Sequence, residues 1–375
     1  MKDGLGLGGA YGATLSRIKG QGERKARLGM TALMWISHAE RPLKPDELCH
    51  ALAVEIGSPN FNNDSVPSIG TLLACCQGLV VVDKEASTIR LIHFTLQEYL
   101  RTHPELFGTA HSTMAETCLS YLNLQQVKAL PPSPPRDLQS NPFLEYSSLY
   151  WGIHAKKHPS DCAQLLALKL FDNYNNHISI PILLEAQEWY ADDIDFDKLP
   201  LFNGLHCASI FGIDEIIAGF VEMEGCDINQ KDCVGNTALI WATYRGHEGV
   251  VKALLGRDDV DPNKPDPGGY TPLWWATFKG YEGLVQALLG RGDVDPNKPN
   301  TNKGGETPLW RAIFDGREGV VNALLGRDDV DPNKPNTNKD GETPLWRAMF
   351  DGREGVVNAL LGRDDIDPNK PDPDG

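Results

Sequence analysis

The stretch "TPLWWATFKGYEGLVQALLGRGDVDPNKP" (Thr271–Pro299) decides the architecture of the C-terminal half, because it is one copy of several. "TALIWATYRGHEGVVKALLGRDDVDPNKP" precedes it from Thr237, and two copies of "TPLWRA…FDGREGVVNALLGRDD" follow from Thr307 and Thr343, at steps of 34, 36 and 36 residues. A degenerate copy, "NGLHCASIFGIDEIIAGFVEMEGCDIN", starts at Asn203, again 34 residues before Thr237. Tandem units of this period stack into a solenoid, since no single unit can bury its own apolar face. Thr271, Thr307 and Thr343 read as N-caps, and Pro272, Pro308 and Pro344 take the first helical position, where a missing N–H costs nothing. Gly246, Gly280, Gly316 and Gly352 are expected to break this first helix. A second helix then carries its apolar face on positions such as Val250, Val251, Leu254 and Leu255, and Gly256, Gly290, Gly326 and Gly362 are expected to stop it as left-handed residues. The remaining "DPNKP" reads as turn chemistry.

These residues resemble the ankyrin repeat, whose T-P-L-H-x-A opening, central Gly and terminal D-x-N are matched from Asn203 onward. The His of that opening is kept only at His206; later copies carry Ile240, Trp274, Trp310 and Trp346. In ankyrin domains this His ties neighbouring repeats by hydrogen bonds, so stacked indoles are expected to substitute apolar area for it. From the Asn of the D-x-N turn to the next Thr is eight residues in Asn229–Thr237 and Asn263–Thr271 but ten in Asn297–Thr307 and Asn333–Thr343. The two extra residues fall in "NTNKGGE" and "NTNKDGE", the finger loop that borders the concave binding surface in ankyrin domains. The last two copies differ at two of 29 aligned positions, Ile313/Met349 and Val330/Ile366, as expected of a recently duplicated, length-variable array. The sequence ends where another Thr-Pro-Leu would begin, so an uncapped last repeat is expected, with fraying or self-association near Leu360 and Leu361.

The N-terminal third has another texture. "ARLGMTALMWISHAE" (Ala26–Glu40), "PDELCHALAVE" from Pro45 and "SIGTLLACCQG" from Ser68 read as three helices. "LVVVDKEASTIRLIH" holds two short alternating runs about a turn, a hairpin signal, and "TLQEYLRTH" another helix. The sum is a winged-helix arrangement. Beyond it, "PPSPPRDLQSNP" (Pro131–Pro142) reads as a polyproline connector and "FLEYSSLYWGIHAKKH" (Phe143–His158) as an amphipathic helix.

A length of 375 residues suggests two or three domains, and 41% hydrophobic residues suffice for real cores. The net charge of −16 argues against coating nucleic acid or anionic membrane, both polyanions. Eight cysteines without a C-x-x-C pair or zinc spacing read as reduced, mostly buried residues of a cytoplasmic protein; the adjacent Cys75 and Cys76 read as helix packing before redox sensing. No signal peptide or apolar run of membrane-spanning length is seen. Gly4, Gly6 and Gly9 have the G-x-G-x-x-G spacing of a dinucleotide loop, yet three residues leave no room for its strand, and no Gly-Lys dipeptide occurs for a P-loop. No cofactor is expected.

"RPLKPDELCHALAVE", "CCQGLVVVDKEASTIRLIHFTLQEYL" and "NPFLEYSSLYWGIHA", in that order, resemble the region after the nucleotide-switch domain of fungal NACHT-type (STAND) NTPases that carry ankyrin arrays. "YGATLSRI" (Tyr11–Ile18) resembles the helix that ends the NTPase module. The resemblance implies a mainly α protein. Residues 1–27 would be a linker and the end of a lost NTPase module, 28–105 a winged helix, 106–200 a helical spacer and 201–375 about five ankyrin repeats. In the family the NTPase assembles on ligand sensing, in non-self recognition and regulated cell death. A non-catalytic interaction protein with a protein ligand is expected. One alternative is a fragment of a larger nucleotide-switched NTPase. Another is a DNA-binding regulator, although the third helix, Ser68 to Gln77, has no Lys or Arg to meet the major groove.

Metal and catalytic readings fare poorly. His154 and His158 have zinc-pair spacing without the Glu of H-E-x-x-H and read as a solvated basic helix end; His93 reads as a structural residue at the strand–helix junction. The sharper candidates lie before the glycine turn, where Tyr244, Phe278, Phe314 and Phe350 form an aromatic stripe beside Arg245, Lys279, Asp315 and Asp351, a charge column that changes sign. Arg311, Arg347 and Trp275 are candidates to join it. Equivalent positions stack in a solenoid, and aromatic grooves with charged rims suit protein recognition. Burial of the same rings against the neighbouring repeat is the competing expectation.

Overall fold

The computed structural model describes residues 7–132, 140–172, 174–187, 201–223, 226–301, 305–336 and 341–370. It divides into two compact units, Met1–Phe196 and Asp197–Gly375. The core of the polyproline stretch (133–139), Gly4 and Gly6 lie outside the described residues, whereas Gly9 lies inside a helix.

The first unit begins with α1 (Leu7–Lys19), α2 (Glu23–His38), α3 (Pro45–Ala53) and α4 (Ile69–Cys75). β1 (Val80–Asp83) and β2 (Thr88–Leu91) pair antiparallel from Val80↔Leu91 to Asp83↔Thr88, and α5 (Phe94–Thr102) follows. The N–H of Ile89 donates to the Leu43 carbonyl at 2.8 Å, which adds a third short extended segment to the wing. Local chemistry fixes each start. Ser68 caps α4 through the Thr71 N–H, and His93 caps α5 by accepting the Thr95 N–H at 3.2 Å, a structural role. In "RPLKPDEL", buried Glu47 takes both arms of Arg41 at 2.7 and 2.8 Å and also accepts the Lys44 N–H at 2.8 Å. The charge is buried only because it is fully paired. α1 is part of this core: Ile18 and Leu15 are buried, and the Tyr11 hydroxyl bonds Thr95 Oγ1 at 2.8 Å.

Helices approach closely at Gly29 on α2, where a Cβ would lie 2.7 Å from the Cys75 carbonyl oxygen and 3.0 Å from Ile18 Cγ2. Gly29→Ala is therefore expected to destabilise this unit by about 1–3 kcal/mol through overpacking, read as a lower urea midpoint. Cys75 and Cys76 are both buried at this contact, and burial pushes the Cys76 thiol up to about 12, which leaves it an inert packing residue.

Helices α6 (Pro104–Phe107), α7 (Ala110–Leu122), α8 (Gln125–Lys128), α9 (Leu144–Lys157), α10 (Asp161–Phe171) and α11 (Ser179–Glu185) complete the unit. α9 departs from the amphipathic expectation. Leu144, Tyr146, Ser147, Ser148, Trp151, Gly152, His154 and Ala155 are all buried, which puts more than one face of the helix inside. Its serines are tolerated there because they return their hydroxyls to carbonyls one turn back.

The second unit stacks five helix pairs: α12 (Gly204–Phe211) with α13 (Asp214–Glu222), α14 (Ala238–Arg245) with α15 (Glu248–Leu255), α16 (Pro272–Lys279) with α17 (Glu282–Leu289), α18 (Pro308–Asp315) with α19 (Glu318–Leu325), and α20 (Pro344–Phe350) with α21 (Glu354–Leu361). Thr237, Thr271, Thr307 and Thr343 each accept the N–H three residues on, and Asn203 does so in the degenerate copy. The glycine expectation needs correcting. Gly246, Gly280 and Gly316, after the first helix, are left-handed at φ 77°, 74° and 69°, whereas Gly256, Gly290, Gly326 and Gly362 are right-handed. The backbone explains the choice: after each first helix the N–H beyond the glycine donates to a carbonyl five residues back, as Arg317 does to Ala312, a closure that needs a left-handed residue, whereas after the second helix Arg257 reaches only three residues back to Leu254.

Candidate functional site

The stripe residues lie at the end of each first helix, and each indole at the former His position stacks on the ring one turn later. Trp274 and Phe278 are 5.3 Å apart at 14°, Trp310 and Phe314 5.3 Å at 16°, and Trp346 and Phe350 5.0 Å at 13°. His206 alone does what the ankyrin His is expected to do: its Nε2 is 3.0 Å from the Gln230 carbonyl oxygen.

Cations from one repeat lie over rings of its neighbours. Lys279 Nζ is 4.2 Å from the centre of Tyr244. The Arg311 guanidinium sits 4.8 Å from Phe278 and 5.2 Å from Phe314, and Arg347 sits 4.6 Å from Phe314 and 5.5 Å from Phe350. Ring and cation alternate along the array, an arrangement favourable by about 0.5–2 kcal/mol per contact. Tyr244 and Phe278 are half-buried against Ile240, Trp274 and Trp275, while Phe314 is 38% and Phe350 68% exposed. Tyr244 and Phe278 are thus packed, while Phe314 stays partly open even with the next repeat's Arg347 over it.

Two features of the expected groove change. Trp275 is buried, with its Nε1–H donating to Asp266 Oδ2 at 2.9 Å, so it belongs to the core. Trp241 repeats the arrangement on Asp232 at 2.6 Å. The next copies have Asn300 and Asn336 in place of the Asp and Arg311 and Arg347 in place of the Trp, which frees the side chain to turn onto the stripe. The charge column also loses its change of sign, because Arg311 takes Asp315 at 2.9 Å through both Nε and Nη2 and Arg347 takes Asp351 at 3.0 Å. Glu306 and Glu342 approach the same guanidiniums at 3.7 and 3.8 Å. Arg245 is exposed at the opposite end.

The finger loops hold their extra residues where the spacing puts them. Backbone N–H groups of Asp232 and Asp266 bond carbonyls four residues on, and those of Asn300 and Asn336 bond carbonyls six residues on. The insertion lies inside this closing bond; its centres, 302–304 and 337–340, are outside the described residues.

"DPNKP" does more than turn the chain. Asn229 Nδ2 donates to the Asp259 carbonyl at 2.7 Å and its Oδ1 accepts the Asp261 N–H at 2.7 Å. Asn263, Asn297 and Asn333 repeat this pair, and Lys264, Lys298, Lys334 and Lys370 reach back to the Asn carbonyl of the preceding copy. The strict recurrence of "DPNK" was the visible signal, but its partners lie 30 or more residues away.

The "HAKKH" segment is corrected as well. His154 is fully buried, beside His111 and Tyr146, while His158 turns to Ser112 at 2.9 Å, so the two do not pair. Burial lowers His154 to about 3 and His111 to about 4, and both rings are neutral near pH 7.

No helix among the described residues is long and apolar enough to cross a membrane. Among curated proteins, none matches the chain. Its family matches are two. Residues 205–300 and 292–372 match ankyrin repeats, and residues 16–112 match the winged-helix domain described for GPI inositol-deacylase. The chain is thus a mainly helical protein that joins an N-terminal winged-helix domain to C-terminal ankyrin repeats.

Proposed function

We propose that this chain is a non-catalytic, cytoplasmic recognition component in which the first-helix face of the ankyrin array binds a protein ligand and the winged helix relays that event. The observation that carries the reading is Phe314, which stays 38% exposed although Arg347 of the next repeat already lies over it. Oriented aromatic and Arg side chains cost little entropy to immobilise and dominate binding energy where they meet a partner. α4 (IGTLLAC) offers no cation to phosphate, which favours protein packing over DNA for the winged helix. The two matched domains agree with the order seen in NACHT-type NTPases, and we place the chain in such a nucleotide-switched, fungal NLR-like signalling pathway, alone or with an NTPase domain as partner.

The test is capture of interacting protein by the full chain and by Phe314→Ala/Phe350→Ala. The variant should stay cooperatively folded, its melting temperature lowered by several degrees as the ring–cation and ring–indole contacts are lost, while binding falls by tenfold or more, that is by at least about 1.4 kcal/mol. Ligand retained at full affinity by the double variant would move the site elsewhere.

A further inference from the structure

The winged helix and the bundle behind it meet at three side chains with no part in the reading above. Glu40 lies just past α2, His111 opens α7 and His154 lies on α9. One ligand atom from each, a carboxylate oxygen and two imidazole nitrogens, falls within 4.8 Å of the others. The two Nδ1 atoms are 2.8 Å apart with the rings stacked at 26°, and Glu40 Oε1 is 3.8 Å from His154 Nδ1. Two imidazole nitrogens aimed at each other either share one proton or turn two lone pairs toward one cation.

The surroundings suit the second use. Tyr146 Oη accepts the Glu40 N–H at 3.1 Å and lies 2.9 Å from His154 Nε2. Its other lone pair can accept an Nε2–H, which leaves Nδ1 bare, as an outer partner does for a metal-bound His. A cleft of about 540 Å³, lined in part by His38, Arg101, Phe107 and Lys157, opens onto Glu40 and His111. Lys157 lies on the carboxylate, 2.5 Å from Glu40 Oε1, with its side chain 46% exposed, from where it can turn to solvent.

We propose that Glu40, His111 and His154 form a binding site for a divalent transition-metal ion of the Zn²⁺ class, with the fourth position facing the cleft. Bonds of about 2.0–2.2 Å in a tetrahedron put ligand atoms about 3.4 Å apart. The imidazoles therefore separate slightly and Glu40, on the connection past the helix end, moves inward. Two nitrogens and one carboxylate oxygen favour Zn²⁺ over Ca²⁺ or Mg²⁺. The ion would tie the end of α2 to α7 and α9, joining the winged helix to its bundle.

The test titrates the chelator-stripped full chain with Zn²⁺ and, separately, with Co²⁺. Expected are one Zn²⁺ per chain and visible Co²⁺ absorption of a four- or five-coordinate site, with affinity at least about tenfold weaker in both His111→Gln and Glu40→Gln. Unchanged circular dichroism in these variants shows that the fold is intact; buried His154 is left alone for that reason. Absence of the Co²⁺ bands, or tight binding equally strong in both variants, would overturn the site, since ions on other histidines would not respond to either change.

Discussion

Trp275→Ala is expected to lower the stability of the repeat array by about 3–5 kcal/mol. The indole is 1% exposed and packs against Ile240, Trp274, Tyr244, Tyr270 and Phe278 across two repeats. Its removal opens a cavity at an inter-repeat interface, on which the stability of a stacked array depends. It also strips Asp266 of the donor 2.9 Å from Oδ2, leaving a buried carboxylate with the Tyr270 N–H on its other oxygen. Burial already raises this carboxylate's pKa, so loss of the indole should raise it further. Trp275→Phe separates the two contributions. It keeps most of the area and loses only the bond, at about 1–3 kcal/mol. Urea unfolding of both variants checks this; equal losses would show that the hydrogen bond and not the packing dominates.

The second large effect is acid lability of the N-terminal unit. His177 is buried, with Nδ1 2.7 Å from Ser179 Oγ and Nε2 3.0 Å from the Leu122 carbonyl; Tyr174 Oη accepts from Ser179 and Lys128 is the charged neighbour. Burial lowers its pKa from 6.5 to about 4. Between those values the unfolded chain binds a proton that the folded chain refuses, so stability falls as pH falls. At about 1.4 kcal/mol per pH unit, His177 alone removes about 2 kcal/mol by pH 5 and about 3 kcal/mol by pH 4. Burial also lowers His38 and His50, which adds to the slope. In the ankyrin unit buried His206 acts the same way, whereas Asp232 and Asp266, held above the usual carboxylate range, act oppositely as they gain protons in the fold. His177→Gln should flatten the pH dependence of the first unit's melting by one proton, whatever it does to the absolute midpoint. An unchanged slope would assign the effect to other groups.

The repeat frame was legible because Thr-Pro and Gly recur in register, and caps act within four residues of chain. The left-handed glycine was not, since both glycines of the unit follow helices and only the hydrogen bond that closes behind the first, Arg317 N–H to the Ala312 carbonyl for example, distinguishes them. The stripe's rings could be named from the sequence. Their gripping by Arg311 and Arg347 could not, because it joins positions that only stacking brings side by side. The winged helix followed from helix and hairpin spacing, but His111 and His154, 43 residues apart, show nothing in the sequence that joins them.

The asparagine and lysine braces have a consequence for growth of the molecule. A new copy grips groups presented by the copy before it, among them an Asn amide and its carbonyl and the carbonyls that Arg363 takes from Leu325 and Arg327. The rules of attachment are the same at each junction, so whole units can be gained or lost without redesigning their neighbours. Each addition lengthens the array by one aromatic and one guanidinium in fixed register. If the stripe binds as proposed, the array acts as a ruler whose length is set by counting copies.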